Sequence, residues 1–305
     1  MSLHIFANLV TAFGTAANNR GETEGNITTL QKLVWQGQVH SSVSAESIRF
    51  SLRRLLADAE KQGTNRHWDE DDRVNAWNDH QFKGWDKKDG KTYIDDDLLG
   101  FMTAEAAKEE GASGSANVRR AVLEVTRAVS LTPWAGDVTF NAASPGATPS
   151  AQKKGSNPVP YGTELHATRY QFGIAMTPER LRSPARAAKA LQALACLRTV
   201  AGNHGRFLFD FAPDTVVLRI TDDPAPRLLY CFESTDGGKT VEAPSLVQRL
   251  EAGDVKPEEL IVGGAGACSL TGKKLKEAGA CVLEGVKAAT EEACKRVNRQ
   301  LNVKE

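Results

Sequence analysis

The residues with the clearest chemical potential lie at the predicted start of a helix near position 44. Arg49 and Arg53 are four residues apart, so a helix places both side chains on one side. Ser42 and Ser44 precede them, where unpaired backbone N–H groups and the helix dipole favour an anion. Together these residues could bind a phosphate group. An ordinary solvated helix face with a capped start explains the same spacing, so both interpretations stay open.

A glycine-rich stretch at 263–274 has the composition of a phosphate-binding loop but not its spacing. A Walker loop needs Gly five residues before Gly272 and Ser or Thr after Lys273, and the sequence has Ala267 and Lys274 there. The spacing disfavours a nucleoside triphosphatase. It favours a turn in which backbone approaches backbone or RNA.

Acidic and histidine residues gather at two places that could suggest a metal site. They are His67, Asp69, Asp71, His80 and the run 95–97. The nearby run 86–90 fits no calcium loop, because the first-ligand position holds Trp85. Charge runs of this kind usually form a solvated face. No nucleophile elbow or comparable setting occurs. We therefore predict no metal site, no cofactor and no catalytic residue.

Composition places the chain among ordinary soluble globular proteins. Of its 305 residues, 41% are hydrophobic and 25% charged, and 38 Lys plus Arg balance 38 Asp plus Glu. Any nucleic-acid site must therefore be a local basic patch. The five cysteines include no Cys-x-x-Cys pair, which predicts reduced thiols and a cytoplasmic location.

The apolar start of the chain predicts a strand buried on both faces over 3–13. A signal peptide is the alternative, but the stretch lacks a basic leader and contains His4 and Asn8. No apolar run reaches about 18 residues, so we expect no membrane-spanning helix.

Helical periodicity follows, with Ser44 as the N-cap and Gly63 as the stop. The apolar face comprises Ile48, Leu52, Leu55, Leu56 and Ala59. Arg49 and Arg53 lie off this face, so we expect the fold to survive their replacement.

The rest of the chain shows two unusual stretches between further elements. Aromatic residues among dense charges predict an inserted subdomain at 64–116, and prolines and glycines flanked by strand patterns predict a projecting hairpin over 137–176. We also predict helices over 184–200, 244–252 and 281–301 and short strands over 206–211, 216–220 and 227–232. Together these elements predict an α+β fold of the ferredoxin-like or RNA-recognition-motif (RRM) type, built from 1–63 and 117–305.

Several segments, taken in order, resemble the CRISPR-associated backbone family of the DevR type, the repeated guide-RNA-binding subunit of type I Cascade complexes. They are 4–8, 43–53, 157–161 with 164–170, and 202–210. The resemblance implies an RRM-like palm, an inserted subdomain, a β-hairpin thumb and a non-catalytic role in RNA-guided antiviral defence. Single-strand recognition by charge and shape would let such a subunit bind any guide sequence.

The resemblance also implies partners. These are the guide RNA (crRNA), copies of the chain itself, and other Cascade subunits, namely the large subunit, the subunit that caps the guide 5′ end and the crRNA-processing nuclease. Target DNA would be read through the guide, and no membrane would be involved.

Carried over residue by residue, the resemblance implies RNA contact at matching positions. They are Arg20, Ser42, Ser44, Arg49, Arg53, Lys153, Lys154, His166, Arg169, Asn203, His204 and Arg206. Two other functions remain open. One is a metal-dependent ribonuclease of the type III sort, using one of Asp210, Asp214, Asp222 or Asp223. The other is a regulator that acts through protein contacts alone.

Overall fold

The structure is a computed structural model that describes residues 2–17, 22–105, 115–146, 152, 158–201 and 208–303. The strands of these residues are β1 (His4–Thr11), β2 (Gly14–Ala17), β3 (Thr23–Glu24), β4 (Ile27–Thr28), β5 (Lys32–Trp35), β6 (Gln38–Val43), β7 (Arg66–Asp69), β8 (Val74–Trp77), β9 (Phe101–Glu105), β10 (Ser115–Arg119), β11 (Leu123–Val125), β12 (Ala128–Ser130), β13 (Val138–Ala143), β14 (Val159–Thr168), β15 (Tyr170–Met176), β16 (Pro213–Thr221), β17 (Leu260–Gly264) and β18 (Cys281–Leu283). The helices are α1 (Ala45–Leu56), α2 (Ile94–Leu99), α3 (Arg186–Ala195), α4 (Pro244–Glu251), α5 (Leu270–Glu277) and α6 (Val286–Gln300). The predicted mixture of helices and sheets is confirmed.

Nine of the described strands form one sheet in the order β18-β17-β16-β1-β15-β12-β6-β5, with β11 also paired to β15. β1 is antiparallel to both its neighbours, β15 and β16, whereas β17 and β18 are parallel. Ile5 and Leu9 of β1 pack in one core and Phe6 and Val10 in another. The prediction of a first strand buried on both faces is confirmed, because alternate side chains enter opposite cores.

Helices cover both faces of this sheet. One core contains Ile48 and Leu52 of α1 together with apolar residues of α3 and α6. The other contains Leu246 of α4, Leu275 of α5 and side chains of the segment 227–243. Neither face of the central strands is therefore open to a ligand.

The segment 227–232 is not the predicted strand. Arg227 and Tyr230 have positive φ angles of 55° and 53°, which a strand does not accommodate. Two buried amides hold the segment instead: Asn8 Oδ1 accepts the N–H of Tyr230 at 3.2 Å, and Gln171 Oε1 accepts that of Phe232 at 3.2 Å. These side chains replace the hydrogen bonds of a neighbouring strand.

Several element boundaries also differ from the prediction. Helix α1 ends at Leu56, and short turns lead from there to Gly63. The range 281–301 begins with strand β18, because Cys281–Leu283 pairs with β17, and only then becomes helical. Within 206–211, the described residues 208–211 form no strand.

The inserted range 64–116 contains a β7–β8 hairpin, helix α2, strand β9 and the start of β10. Aromatic residues form its centre: Phe82 is fully buried and stacks on Phe101 with ring centroids 3.8 Å apart. The β7–β8 and β9–β10 pairs are two-stranded sheets separate from the main sheet.

The projecting hairpin consists of β13 and β14, paired from Val138↔Glu164 to Ala143↔Val159. The last strand of the predicted range 137–176 does not belong to it. β15 is a strand of the main sheet, where it pairs with β1 and β12, and six of its seven residues are buried.

No helix in the described part of the chain is both long and apolar enough to cross a lipid bilayer.

Candidate functional site

The start of α1 is capped by its own side chains. Ser44 Oγ accepts the N–H of Ser47 at 3.2 Å, as the sequence predicted for an N-cap. Ser42 lies two residues earlier, on β6, and is fully buried, and Arg127 Nη1 donates to its hydroxyl at 3.3 Å. The two serines therefore differ: Ser44 sits at the helix end, and Ser42 lies inside the sheet.

Helix α2 anchors both predicted arginines. Arg49 Nη2 donates to the carbonyl oxygen of Leu99, and Arg53 Nε donates to Asp95 Oδ2 at 3.2 Å. Burial lowers the pKa of both guanidinium groups, and nearby Asp95 partly offsets this for Arg53. The arginines lie on one side of α1, as predicted, and that side faces the inserted unit.

This arrangement gives Arg53 a structural role that the sequence did not predict. The Asp95 side chain is only 1% exposed and relies on Arg53 as its cation. Because a buried carboxylate that loses its partner is strongly destabilising, we expect Arg53→Ala to lower the stability of the fold.

The run Asp95, Asp96 and Asp97 is buried, so its prediction as a solvated face was wrong. Asp97 is fully buried and accepts hydrogen bonds from Arg119 at 2.6 Å and Arg186 at 2.9 Å. Arginines distant in sequence pair with Asp95 and Asp97. No local sequence pattern shows such pairing. The run 69–72, by contrast, lies at the surface, with three of its four residues exposed.

A basic groove of 1140 Å³ runs between α1 and the inserted unit, and we call it the α1 groove. Arginine and aromatic side chains share its lining. They are Arg49, Arg53, Arg54, Arg66 and Arg119, with Phe50, Trp77 and Phe101. Glu46 is the sole acidic residue among its lining residues in the described chain. Buried Asp95 and Asp97 hold Arg53 and Arg119 from beneath, which fixes these side chains before any ligand binds.

Sequence reasoning missed most of this groove. Arg54 directly follows Arg53 in α1, and its exposed side chain has no ion pair within the described residues. Arg66 places its guanidinium 5.7 Å from the Trp77 ring centroid on the β7–β8 hairpin. The alternation of arginine and tryptophan between 66 and 77 was the available signal.

His166 lies outside this groove and is buried. Ser41 Oγ is 2.6 Å from its Nδ1, and Thr132 Oγ1 is 3.3 Å from its Nε2. Burial lowers the pKa of His166 to about 4. The imidazole is therefore neutral near pH 7 and supplies no positive charge for a phosphate.

Arg169 is also engaged within the fold. Its guanidinium donates to Asp214 Oδ2 at 2.7 Å, to the Thr11 carbonyl oxygen at 3.0 Å and to the Gly238 carbonyl oxygen at 2.9 Å. Arg169 thus joins the end of β1, the start of β16 and the turn at Gly238.

The remaining predicted RNA contacts lie outside the described residues. They are Arg20, Lys153, Lys154, Asn203, His204 and Arg206. RNA contact at these positions stays a prediction, as it does at the six predicted residues that the structure describes, namely Ser42, Ser44, Arg49, Arg53, His166 and Arg169.

The glycine-rich stretch 263–274 brings backbone against backbone, as predicted. A Cβ on Gly264 would lie 2.0 Å from the Asp214 carbonyl oxygen. The N-terminus of α5 already has an anion, because the Glu242 carboxylate accepts the N–H groups of Leu270 and Thr271 at 3.0 and 2.7 Å. This helix end is not open to a phosphate.

Comparison with known proteins now identifies the family. The family described as "CRISPR-associated negative auto-regulator DevR/Csa2" matches residues 10–229. The "CRISPR-associated protein Cas7/Cst2/DevR" of Myxococcus xanthus (strain DK1622) is 62% identical over 299 residues, covering 97% of this chain and 98% of its own length. This chain belongs to the DevR family of CRISPR-associated proteins.

Solved structures share the fold of this DevR-family chain. A chain from a structure described as "CRISPR RNA-guided surveillance complex, pre-nicking" has a TM-score of 0.56 and 13% identity, covering 96% of this chain and all of its own length. Another, described as "CRISPR RNA-guided surveillance complex", has a TM-score of 0.58 and 15% identity, covering 96% of this chain and 99% of its own.

Two of the four aspartates considered for a metal-dependent ribonuclease of the type III sort are held in ion pairs, whereas Asp222 is exposed. Asp214 pairs with Arg169, and Asp223 pairs with Arg219 and Arg227. The backbone N–H of Ala225 and these arginines lower the pKa of Asp223 to about 2. Within the described residues, no three His, Cys, Asp or Glu side chains are grouped to hold a metal ion.

We expect Asp96 to make the stability of this DevR-family chain depend on pH. Burial, and then the neighbouring Asp95 carboxylate, raise the pKa of Asp96 to about 7. The folded state therefore holds a proton that the unfolded chain, with an Asp pKa of about 3.9, releases. The contribution of Asp96 to stability should therefore fall as pH rises from about 4 through about 7.

Asp96→Asn is expected to remove this dependence, because an amide stays neutral and still accepts from Asn65 Nδ2, 2.9 Å away. The variant should therefore be more stable than the natural chain, and this difference in unfolding free energy should be roughly 2 kcal/mol larger at pH 8 than at pH 5. Urea unfolding at both pH values measures this gain. Exposed Asp71→Asn is the control, and an equal gain at both pH values would contradict the prediction.

Proposed function

We propose that this protein is a non-catalytic subunit that binds single-stranded guide RNA (crRNA) in the α1 groove. Copies of the chain would line up along the guide and form the backbone of a type I Cascade surveillance complex. The observation that carries this proposal is the lining of the groove: five arginines interleaved with three aromatic rings. Single-stranded nucleic acids bind to positively charged grooves with such stacking surfaces.

Both faces of the main sheet are covered, and this favours the α1 groove as the RNA site. RRM domains stack bases on an exposed sheet face. Here apolar side chains of the segment 227–243 and of α4 and α5 occupy one face of the central strands, and α1, α3 and α6 occupy the other. In our proposal the sheet is an RRM-like palm that supports the groove at its side, and the β13–β14 hairpin is the thumb.

Charge explains how a chain without net charge could hold RNA. Arg54 and Arg66 have no anion partner among the described residues, and Arg49 is held by a carbonyl oxygen rather than a carboxylate. Arginine contacts to phosphates carry no sequence information, so one groove could accept any guide. Several copies on one RNA would add avidity.

The partners proposed are those of a guide-RNA complex. Both similar solved structures are described as RNA-guided surveillance complexes. We therefore include as partners crRNA, further copies of the chain, and other Cascade subunits, with target DNA read by pairing to the guide. The ion pairs of Asp214 and Asp223 support a non-catalytic role for these two candidates, because neither carboxylate could bind a metal without breaking a pair.

Arg54→Ala tests this function, because the residue is exposed, lines the groove and makes no ion pair in the described chain. In the complex assembled with its partner subunits, affinity for guide RNA should fall about 3- to 10-fold. The slope of log affinity against log salt should decrease by roughly 0.7, because one phosphate contact is lost.

Arg299→Ala is the matched control, since it removes an exposed arginine at the far end of α6, away from the groove lining. Salt titrations of RNA binding on both variants separate a local contact from a general charge effect. Equal losses for the two variants, or an unchanged salt slope for Arg54→Ala, would refute the groove as the guide site.

A further inference from the structure

A second pocket of 490 Å³ adjoins the α1 groove. Four side chains line both, so the two spaces are continuous. The shared residues are Phe50, Arg53, Arg54 and Arg66. The volume falls within the range of about 300–1,000 Å³ typical of pockets that hold small ligands.

The β7–β8 hairpin supplies the wall of this pocket through strand alternation. The register pairs Arg66 with Trp77 and Trp68 with Asn75, so these four side chains lie on one face of the hairpin. Arg66 and Trp77 line the groove, whereas Trp68 and Asn75 line the pocket beside it. One hairpin face therefore runs from the groove into the pocket.

Two aromatic rings in the pocket are exposed. Trp68 is 45% and Phe50 43% accessible to solvent. Neither ring stacks on another aromatic ring within the described part of the chain, unlike Phe82, Phe101 and Trp77. Large aromatic side chains left open in a concave site mark a place where a ligand covers them.

We propose that this pocket receives one unstacked nucleobase of the RNA whose backbone lies in the α1 groove, and that the base stacks on Trp68. The inference rests on the function proposed above. Arg54 and Arg66 stand where the groove and the pocket meet, so phosphates flanking the base reach them while the base turns inward. Stacking accepts any base, because every base has a π face. A bound apolar side chain would not use the two arginines.

Binding of two RNAs of equal length tests the proposal, one with all its bases and one with abasic ribose units throughout. The full-length natural chain should bind the base-bearing RNA more tightly. Trp68→Ala should lower affinity for base-bearing RNA roughly 5- to 100-fold, the effect of losing one base–aromatic stack, and leave abasic RNA binding unchanged. Trp68→Tyr should restore most of the affinity.

A base-side signal distinguishes stacking from a structural role. Fluorescence of 2-aminopurine in the RNA should be quenched in the natural chain and in Trp68→Tyr, but less in Trp68→Ala. Val74→Ala is the matched control, because Val74 is 50% exposed on the opposite face of the same hairpin. It should change neither affinity nor fluorescence.

Each other outcome overturns the proposal. If Trp68→Ala lowers affinity for both RNAs equally, Trp68 supports the hairpin rather than a base. If it lowers affinity for neither RNA, something other than a base, such as a partner's side chain, fills the pocket. If the natural chain binds neither RNA, the proposed function fails, and the base pocket fails with it.

Discussion

Replacing Asp97 by alanine is expected to lower the free energy of unfolding by about 3–5 kcal/mol, the cost of breaking a buried ion pair. Asp97 is fully buried, and its carboxylate accepts hydrogen bonds from Arg119, Arg186 and the N–H groups of Arg182 and Ser183. These donors come from β10, from α3 and from the loop before α3. Without the carboxylate, two guanidinium groups lose an anion, and the inserted unit loses a direct link to the rest of the fold.

Urea unfolding of Asp97→Ala measures the effect, with Asp72→Ala as the control. Asp72 is exposed in the same inserted unit, so its removal should change stability by less than about 0.5 kcal/mol. Asp97→Asn should fall between the two, because the amide keeps the shape but loses the charge. A loss below about 1 kcal/mol for Asp97→Ala would show that the cluster is not compensated as described.

Arg169→Met is expected to lower the free energy of unfolding by about 2–4 kcal/mol while leaving RNA affinity nearly unchanged. Methionine keeps the apolar stem but removes every donor. The carbonyl oxygens of Thr11 and Gly238 then lose their bonds from this side chain, and Asp214 loses its cation. Since the guanidinium is committed to these three acceptors, its main role is to join strand ends.

This prediction opposes the one made from family resemblance, which placed Arg169 in contact with RNA. Thermal unfolding and RNA binding, measured on the same preparation well below its melting temperature, decide between them. Arg54→Ala provides the opposite pattern, with reduced RNA affinity and unchanged stability. If Arg169→Met keeps its stability but loses RNA binding, Arg169 contacts RNA and our prediction is wrong.

Local patterns made part of this fold predictable. The strand β1 and the apolar face of α1 follow from residue alternation and helical spacing, and the structure has both, with Ile48, Leu52 and Leu56 buried and Ser44 at the N-cap. Where tertiary contacts replaced local preference, the predictions failed. The segment 227–232 is rich in strand-forming residues, yet buried Asn8 and Gln171 hold it in another conformation.

The candidate site was likewise predictable only in part. The sequence showed that Arg49 and Arg53 share one side of a helix, but not that α2 would meet them there through Leu99 and Asp95. Six of the 18 residues that line the α1 groove come from the inserted unit, whose position relative to α1 has no local signature. Trp68 and Arg66 were visible as residue types but not as the wall of a pocket.

By itself, the sequence determined the family, the mixed α and β class, the capped helix and the failure of the phosphate-loop spacing. These depend on residue order over short stretches, where neighbouring side chains set periodicity and backbone preference. Only the tertiary structure decided which charges are solvated and which are paired. Asp97 and Arg186 are 89 residues apart, and Glu60 and Arg186 are 126 apart, yet each pair is in contact. Whether a carboxylate is exposed or buried depends on the cation that folding brings to it, because burial without that cation would cost several kcal/mol.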